Sequence, residues 1–276
     1  MFGKTYINKL FIDSRFKKSY SKSNSDFIVE INENLELGEN IGCIVTDITL
    51  PHTWYNINGN LNSFYFRTIV NSTSTDYIVT LPSENYNFFN LRDRLEELMN
   101  AAVGSTAFDV QADVQAGTLT ISILNSGWVL RVFSDNELIN RVNGTWRGPF
   151  YDINNLKSIN DMIGINGSTF QIYDTNNSFK TGFIDLLAYH SIYLTSTKLS
   201  NYSNLGPGDQ RNVLKKIVVN SSFGEVNVFE GVWSDDKVNV SNLSLKLIYF
   251  QLTDAFGNIV DLNGSHVSFN ILFVKM

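Results

Sequence analysis

Short runs of alternating hydrophobic and polar residues dominate the chain, and Gly, Asn and Asp separate these runs. Alternation of this kind is typical of β-strands with one buried face. Early strands are predicted at residues 25–31, 43–50 and 63–70. A C-terminal meander is predicted from strands at 243–254, 258–262 and 266–276, with a type I′ turn at Asn263-Gly264. The pattern therefore predicts a mainly β protein.

The strands at 243–254 and 266–276 are hydrophobic on both faces. In the earlier one, Ile248, Phe250 and Leu252 alternate with a second apolar row. A strand of a β-sandwich needs one buried face, so the other face is expected to meet another domain or another subunit. Ile248, Phe250 and Leu252 are therefore predicted subunit-interface residues.

The middle of the chain has a different pattern. Residues 90–104 carry apolar side chains at helical spacing, with Asn90 as the predicted N-cap and Gly104 just past the helix end. Strand-like runs follow, with a turn at Gly117. The prediction is a small α+β domain, residues 73–178, inserted into a discontinuous β domain formed by residues 25–72 and 179–276.

Composition supports a folded protein. The 276 residues are 43% hydrophobic and 17% charged, enough for a substantial core. Cys43 is the single cysteine, so an internal disulfide is excluded, and its place in a strand predicts a small buried residue. The sequence has neither a run of ~20 apolar residues nor a signal-peptide pattern. We expect a protein without a membrane span that is made inside the cell and not secreted through a signal peptide.

Charge is distributed unevenly. The first 22 residues contain six Lys or Arg residues and one acidic residue, Asp13, although the whole chain has a formal charge of −6. Aromatic residues, including Phe11, Phe16 and Tyr20, lie among these cations. Residues 1–24 are predicted to form a basic N-terminal arm. Such an arm is either a solvated terminus or a segment that docks on an acidic partner or near nucleic acid.

Motifs for catalysis or cofactor binding are missing from the sequence. The three histidines, His52, His190 and His266, are far apart and have no metal-ligand spacing. A nucleophile elbow, a P-loop and a dinucleotide-binding glycine motif do not occur. We predict no enzymatic activity, no cofactor and no metal.

Several ordered segments resemble one family. The run FIDSRFKKSYSKSNSDFIVEI precedes IVTDITLPHTWYNINGNLNSFYF, and IVTLPSENYN precedes the helical segment. VLKKIVVNSSFGEV and LIYFQLTDAFGNIVDLNGSHVSFNILF follow. Together these segments resemble the penton, or minor capsid, proteins of virophages and Polinton-like viruses over nearly the whole chain.

This resemblance implies a single jelly-roll β-sandwich with an outer inserted domain. It also implies a homopentamer at each icosahedral vertex of the virion, surrounded by the double jelly-roll major capsid protein. The arm would contact that protein, with Asp13 and Arg15 as the motif-matched residues and Lys17 and Lys18 beside them. The resemblance also allows two further partners, which are genomic DNA near the arm and a host receptor or glycan.

A carbohydrate- or receptor-binding β-sandwich is the alternative. It would use aromatic residues of the inserted domain, such as Trp128 and Trp146. A hydrolase ranks last, because the sequence shows no clustered acid and nucleophile.

Overall fold

The computed structural model describes residues 6–59, 61–140, 157–165, 170–172, 177–200, 206–230 and 237–276. The chain divides into two compact units. The first unit combines Met1–Trp54 with Tyr189–Met276, and the second unit is Tyr55–Ala188. The first unit is therefore discontinuous along the chain, and the second unit is one continuous segment.

The strands in chain order are β1 (Tyr6–Asp13), β2 (Asp26–Glu36), β3 (Ile41–Pro51), β4 (Ser63–Val70), β5 (Thr73–Thr80), β6 (Phe108–Asp113), β7 (Thr118–Ile123), β8 (Trp128–Val132), β9 (Phe170–Ile172), β10 (Ser178–Lys180), β11 (Ser191–Thr195), β12 (Val213–Val218), β13 (Val226–Phe229), β14 (Val238–Asn239), β15 (Ser244–Thr253) and β16 (Ser268–Lys275). The helices are α1 (Phe88–Val103) and α2 (Asp135–Asn140).

In the described part of the first unit, the strands form two antiparallel sheets. Sheet A has the order β1-β16-β3-β13, with β14 also paired to β3. Sheet B has the order β12-β11-β15-β2. The chain crosses between the sheets from β1 to β2, from β2 to β3, from β12 to β13, from β14 to β15 and from β15 to β16. This crossing pattern is that of a jelly roll, and it confirms the predicted fold class.

Aromatic side chains fill the space between the two sheets. Phe250 of sheet B packs on Phe27 of the same sheet, with ring centroids 5.6 Å apart. Phe250 also meets Phe269 of sheet A edge to face, with centroids 5.1 Å apart. These three rings are at most 1% exposed. They bury the alternating hydrophobic positions that the sequence shows in β2, β15 and β16.

The predicted C-terminal meander is wrong. β15 lies in sheet B and β16 lies in sheet A, and Ile259 makes an isolated bridge to Thr253 instead of a third strand. The turn itself is as predicted, since Asn263 and Gly264 have φ values of 48° and 83°. The residues between β15 and β16 therefore connect two sheets, and they do not form a hairpin within one sheet.

Cys43 lies in β3, an inner strand of sheet A. It is paired with Phe273 of β16 and Val238 of β14. Its side chain is 1% exposed, and burial raises the pKa of the thiol to about 12. The prediction that Cys43 is a small buried residue is confirmed.

The second unit packs α1 against two sheets. In its described residues the sheets have the orders β5-β4-β8-β9 and β10-β7-β6. Leu91, Leu95 and Met99 of α1 are fully buried in the same core cluster as Phe66 and Phe108. None of the described helices has the length and apolarity needed to cross a membrane.

The start of α1 differs from the sequence prediction. Asn87 is the N-cap, and its side-chain oxygen accepts hydrogen bonds from the backbone N–H groups of Phe89 and Asn90. Asn90 closes the capping box by accepting from the Asn87 N–H at 2.6 Å. Gly104 ends the helix with φ 70°, as predicted.

The boundaries of the two units also differ from the predicted domain boundaries. The sequence assigns β4 to the β framework, residues 25–72, and begins the inserted domain at residue 73. In the structure β4 and β5 pair along their full length. Both strands belong to the second unit, which begins at Tyr55 and ends at Ala188.

Candidate assembly surface

The predicted basic arm contains the first strand of the jelly roll. β1 pairs with β16 from Tyr6 to Asp13, and Ile12 is 4% exposed in the core. Its alternating pattern was masked in the sequence by the surrounding cations. Deleting residues 1–22 would remove this edge strand and is therefore expected to destabilise the sandwich.

The β1–β2 connection, residues 14–25, is fixed to the body of the first unit. Ser14 exchanges hydrogen bonds with Val267, through its backbone N–H (3.0 Å) and its hydroxyl oxygen (3.1 Å). Asn24 Nδ2 donates to the carbonyl oxygens of Gly264 (3.0 Å) and Ser265 (2.8 Å). The connection therefore has a defined shape on the β15–β16 connection.

The predicted capsid-contact residues bind within the chain. Asp13 accepts from Arg15 at the backbone N–H (2.9 Å), Nε (3.1 Å) and Nη2 (2.6 Å). The hydrogen bond from the Arg15 side chain lowers the pKa of Asp13. Lys17 Nζ donates to Asn24 Oδ1 (2.6 Å), and Lys18 forms an ion pair with Glu30. Carboxylates of the same chain thus neutralise part of the basic charge of this segment.

The Pro-His-Thr-Trp turn after β3 contacts the Leu-Asn-Gly turn before β16. Thr53 Oγ1 donates to the carbonyl oxygen of Leu262 at 2.6 Å. Asn263 Nδ2 donates in return to the carbonyl oxygen of Thr53. The His52 ring stacks on Trp54 with centroids 4.1 Å apart. Two segments that carry the family resemblance are therefore joined by direct hydrogen bonds.

The β12–β13 connection, residues 219–225, is held by the same turn. His52 Nδ1 lies 2.7 Å from the carbonyl oxygen of Ser221, and Gly224 N–H donates to the His52 carbonyl oxygen at 2.8 Å. Asn227 Oδ1 accepts from the backbone N–H groups of Asn220 (2.9 Å) and Ser221 (3.2 Å). His52 and Asn227 therefore hold the turn after β3 and the β12–β13 connection together, which is a structural role inside the chain.

The predicted interface residues on β15 do not face solvent. Ile248, Phe250 and Leu252 are each 0% exposed and point between the two sheets. They cannot form a contact surface of the folded chain, so this prediction is wrong. The opposite face of β15 carries Lys246 and Tyr249, and Tyr249 is 41% exposed. Apolar residues on both faces of a strand do not show which face the second sheet covers.

Large apolar side chains are exposed elsewhere on the first unit. Around β1 and the β1–β2 connection, Phe11 is 76%, Phe16 is 77% and Tyr20 is 58% exposed. On β13, Val226 is 45% and Val228 is 57% exposed. The aromatic residues were visible in the sequence among the cations. The exposure of the two valines could not be predicted, because the short strand VNVF does not show which neighbouring strands cover it.

Within the described parts of the chain, no group of three or more His, Cys, Asp or Glu side chains could hold a metal ion. Trp128, which the carbohydrate-binding alternative invokes, packs partly buried against the core of the second unit. Trp146 lies outside the described residues.

No protein-family model and no curated protein sequence matches this chain. Among solved structures, the selenomethionine-labelled mavirus penton protein matches with a TM-score of 0.54. The alignment covers 99% of this chain and 100% of the other. The two proteins share a fold. Their sequence identity is 11%, so the resemblance to penton proteins seen in the sequence is confirmed at the level of the fold.

The match with the mavirus penton protein spans both units of this chain. A jelly roll alone would match many unrelated proteins, since this architecture hosts many functions. Coverage of the entire length of both chains includes the inserted unit and is therefore more specific than the sandwich alone.

Proposed function

We propose that this protein is a structural capsid protein that forms homopentamers at the icosahedral vertices of a virion. The observation that supports this function is the end-to-end fold match with the mavirus penton protein, including the inserted unit. The function requires shape complementarity and burial of surface, with no chemical turnover. Five copies related by a five-fold axis would close a ring through one repeated contact.

The surrounding major capsid protein is the second proposed partner. We assign this contact to the Asp13–Arg15 pair with Lys17 and Lys18, at the start of the β1–β2 connection. Because the connection is already fixed by hydrogen bonds to the β15–β16 connection, its ordering would cost little on binding.

The experiment is reconstitution with the major capsid protein, followed by imaging of the vertices and by light scattering of the isolated protein. We expect density for this chain at the vertices and, for the isolated protein, a mass approaching five times 31.2 kDa at high concentration. A protein that neither self-associates nor enters particles would contradict the proposal.

A matched pair of variants tests the role of the connection. Phe16→Ala should lower incorporation several-fold while the unfolding curve stays unchanged, because Phe16 is 77% exposed. Phe89→Ala, at a Phe that is 53% exposed in the second unit, is the control and should incorporate normally. Equal incorporation of both variants would show that Phe16 takes no part in the assembly contacts of this protein.

A further inference from the structure

Two opposite edges of the sandwich expose apolar side chains and differ in charge. In sheet A, β1 and β13 are the outermost strands of the order β1-β16-β3-β13. We define the β1 edge as β1 with the β1–β2 connection, and the β13 edge as the β12–β13 connection with β13 and Glu230. Among the described residues, no strand pairs with the outer side of β1 or of β13. Unpaired strand edges are surfaces that proteins either protect or use for association.

The β1 edge has the size of an interface core. Phe11, Phe16 and Tyr20 are 58–77% exposed. At ~200 Å² for each aromatic side chain, they leave about 400 Å² of aromatic surface in water. The largest exposed apolar patch of a typical monomer covers about 300–600 Å² and often takes part in binding. A stable interface buries about 800 Å² on each partner. Aromatic residues would thus supply roughly half of one side of such an interface.

The β13 edge offers a smaller apolar surface with the opposite charge. Phe223, Val226 and Val228 are 43–57% exposed. Residues 219–230 contain Glu225 and Glu230, both exposed, and no Lys or Arg. Residues 14–25 of the β1 edge contain four Lys or Arg residues and no Asp or Glu.

The cations of the β1 edge remain available to a partner. Arg15 and Lys22 pair with Asp13 and Asp26, but their side chains are 61% and 83% exposed. Exposed ion pairs contribute little to stability, so they exchange partners at little cost. Their charge would act mainly on orientation and on the rate of association.

Both edges are rigid before any contact forms. In the β1 edge, Lys18 N–H donates to the Ile28 carbonyl oxygen (2.8 Å), and Ser21 Oγ accepts from the Ile28 N–H (3.0 Å). In the β13 edge, Phe223 lies edge-on to the His52 ring at 6.1 Å. The backbone that carries these exposed rings is therefore ordered before docking, which lowers the entropy cost of forming the contact.

We propose that the β1 edge of one copy docks against the β13 edge of the next copy. This inference rests on the proposed function and assigns the surfaces of its repeated contact. Because the two edges lie on opposite sides of one sandwich, each copy uses both, and the contact is head to tail. A head-to-tail contact repeats around an axis and closes into a ring when the rotation permits.

The experiment mixes two variants, each with one damaged edge. Phe16→Glu places an anion against the acidic β13 edge, and Val228→Lys places a cation against the basic β1 edge. Each variant alone should lose the high-mass species in light scattering. An equimolar mixture should regain association, at least to a heterodimer, because each variant keeps the edge that the other has lost.

Several results would overturn this assignment. If both variants form the same ring as the wild type, the pentamer stands and the edges are wrong. If each variant is monomeric and the mixture stays monomeric, the contact is not head to tail between these edges. A wild-type protein that remains monomeric up to about 1 mM, a dissociation constant worth roughly 4 kcal/mol, also overturns it.

Two controls keep the test independent of folding. Phe89→Glu changes an exposed Phe of the second unit and should assemble as the wild type does. If Phe16→Glu or Val228→Lys lowers the unfolding midpoint, Phe16→Ser and Val228→Thr replace them, and the mixing experiment is repeated. The proposed function fails separately, when the wild-type protein is absent from the vertices of reconstituted particles.

Discussion

Replacing Phe250 with Ala would remove the ring that links the two sheets of the jelly roll. Phe250 is 0% exposed and lies 5.6 Å from Phe27 and 5.1 Å from Phe269, measured between ring centroids. A buried Phe→Ala change costs about 3–5 kcal/mol, from lost burial and from the cavity left behind. Each aromatic contact adds ~0.5–1.5 kcal/mol beyond burial, which favours the upper half of this range. We expect a loss of about 4 kcal/mol.

Guanidinium unfolding followed by circular dichroism measures this loss, and Phe250→Leu is the control. Leu keeps most of the volume but loses both ring contacts, so it should cost clearly less than Ala and more than zero. Light scattering on the folded variants should show an unchanged mass. If Phe250→Ala lost under ~1 kcal/mol and the oligomer mass fell, Phe250 would face a partner and the burial argument would be refuted.

Other substitutions test single contacts, each by thermal or denaturant unfolding. The hydrogen bond from Arg15 lowers the pKa of Asp13 in the folded protein from its usual value of 3.8. The ion pair therefore stabilises the fold above the pKa of the unfolded state, and this stabilisation is lost as the pH falls through the lowered pKa of the folded state. Asp13→Asn should be less stable than the wild type at pH 7, and its stability should depend less on pH below about pH 4. Burial raises the pKa of Asp135 in the folded protein above its usual value of 3.8. The protein is therefore less stable as the pH rises from the pKa of the unfolded state through the raised pKa of the folded state. Asp135→Asn should be more stable than the wild type at pH 7, and its stability should not show this fall with rising pH. A Cβ on Gly182 would lie 2.7 Å from the Gly164 carbonyl oxygen, so Gly182→Ala should cost about 1–3 kcal/mol, whereas Gly38→Ala, with no atom within 4 Å, should be nearly neutral. Equal stability of the two glycine variants would contradict the close backbone contact.

The strands that alternate cleanly could be predicted from the sequence. β2, β6 and β7 were found because their apolar residues recur with period two and turns bound them. β1 was missed as a strand because charged residues on its exposed face made the segment look like a solvated arm. The sheet to which each strand belongs was also beyond reach, since alternation shows that one face is buried without showing which strands lie beside it.

The candidate surface was harder to predict than the fold. Phe250 and Phe11 are both aromatic residues close to apolar residues in the sequence, yet one is 0% and the other 76% exposed. What separates them is the position of the second sheet, which depends on residues far away along the chain. The ordered turns were recognisable because their hydrogen bonds require particular side chains, such as Thr53 and Asn263.

The burial of Cys43 gives the protein an internal reporter of its own opening. The thiol lies between strands of sheet A, and its pKa of about 12 leaves almost no reactive thiolate at neutral pH. A thiol reagent can modify it when β3 separates from β16 or β14. The rate of modification would therefore measure how often the sandwich opens, free in solution and again within an assembled particle. The ratio of the two rates would give the kinetic protection that assembly confers on this sheet, with the natural cysteine as the reporter.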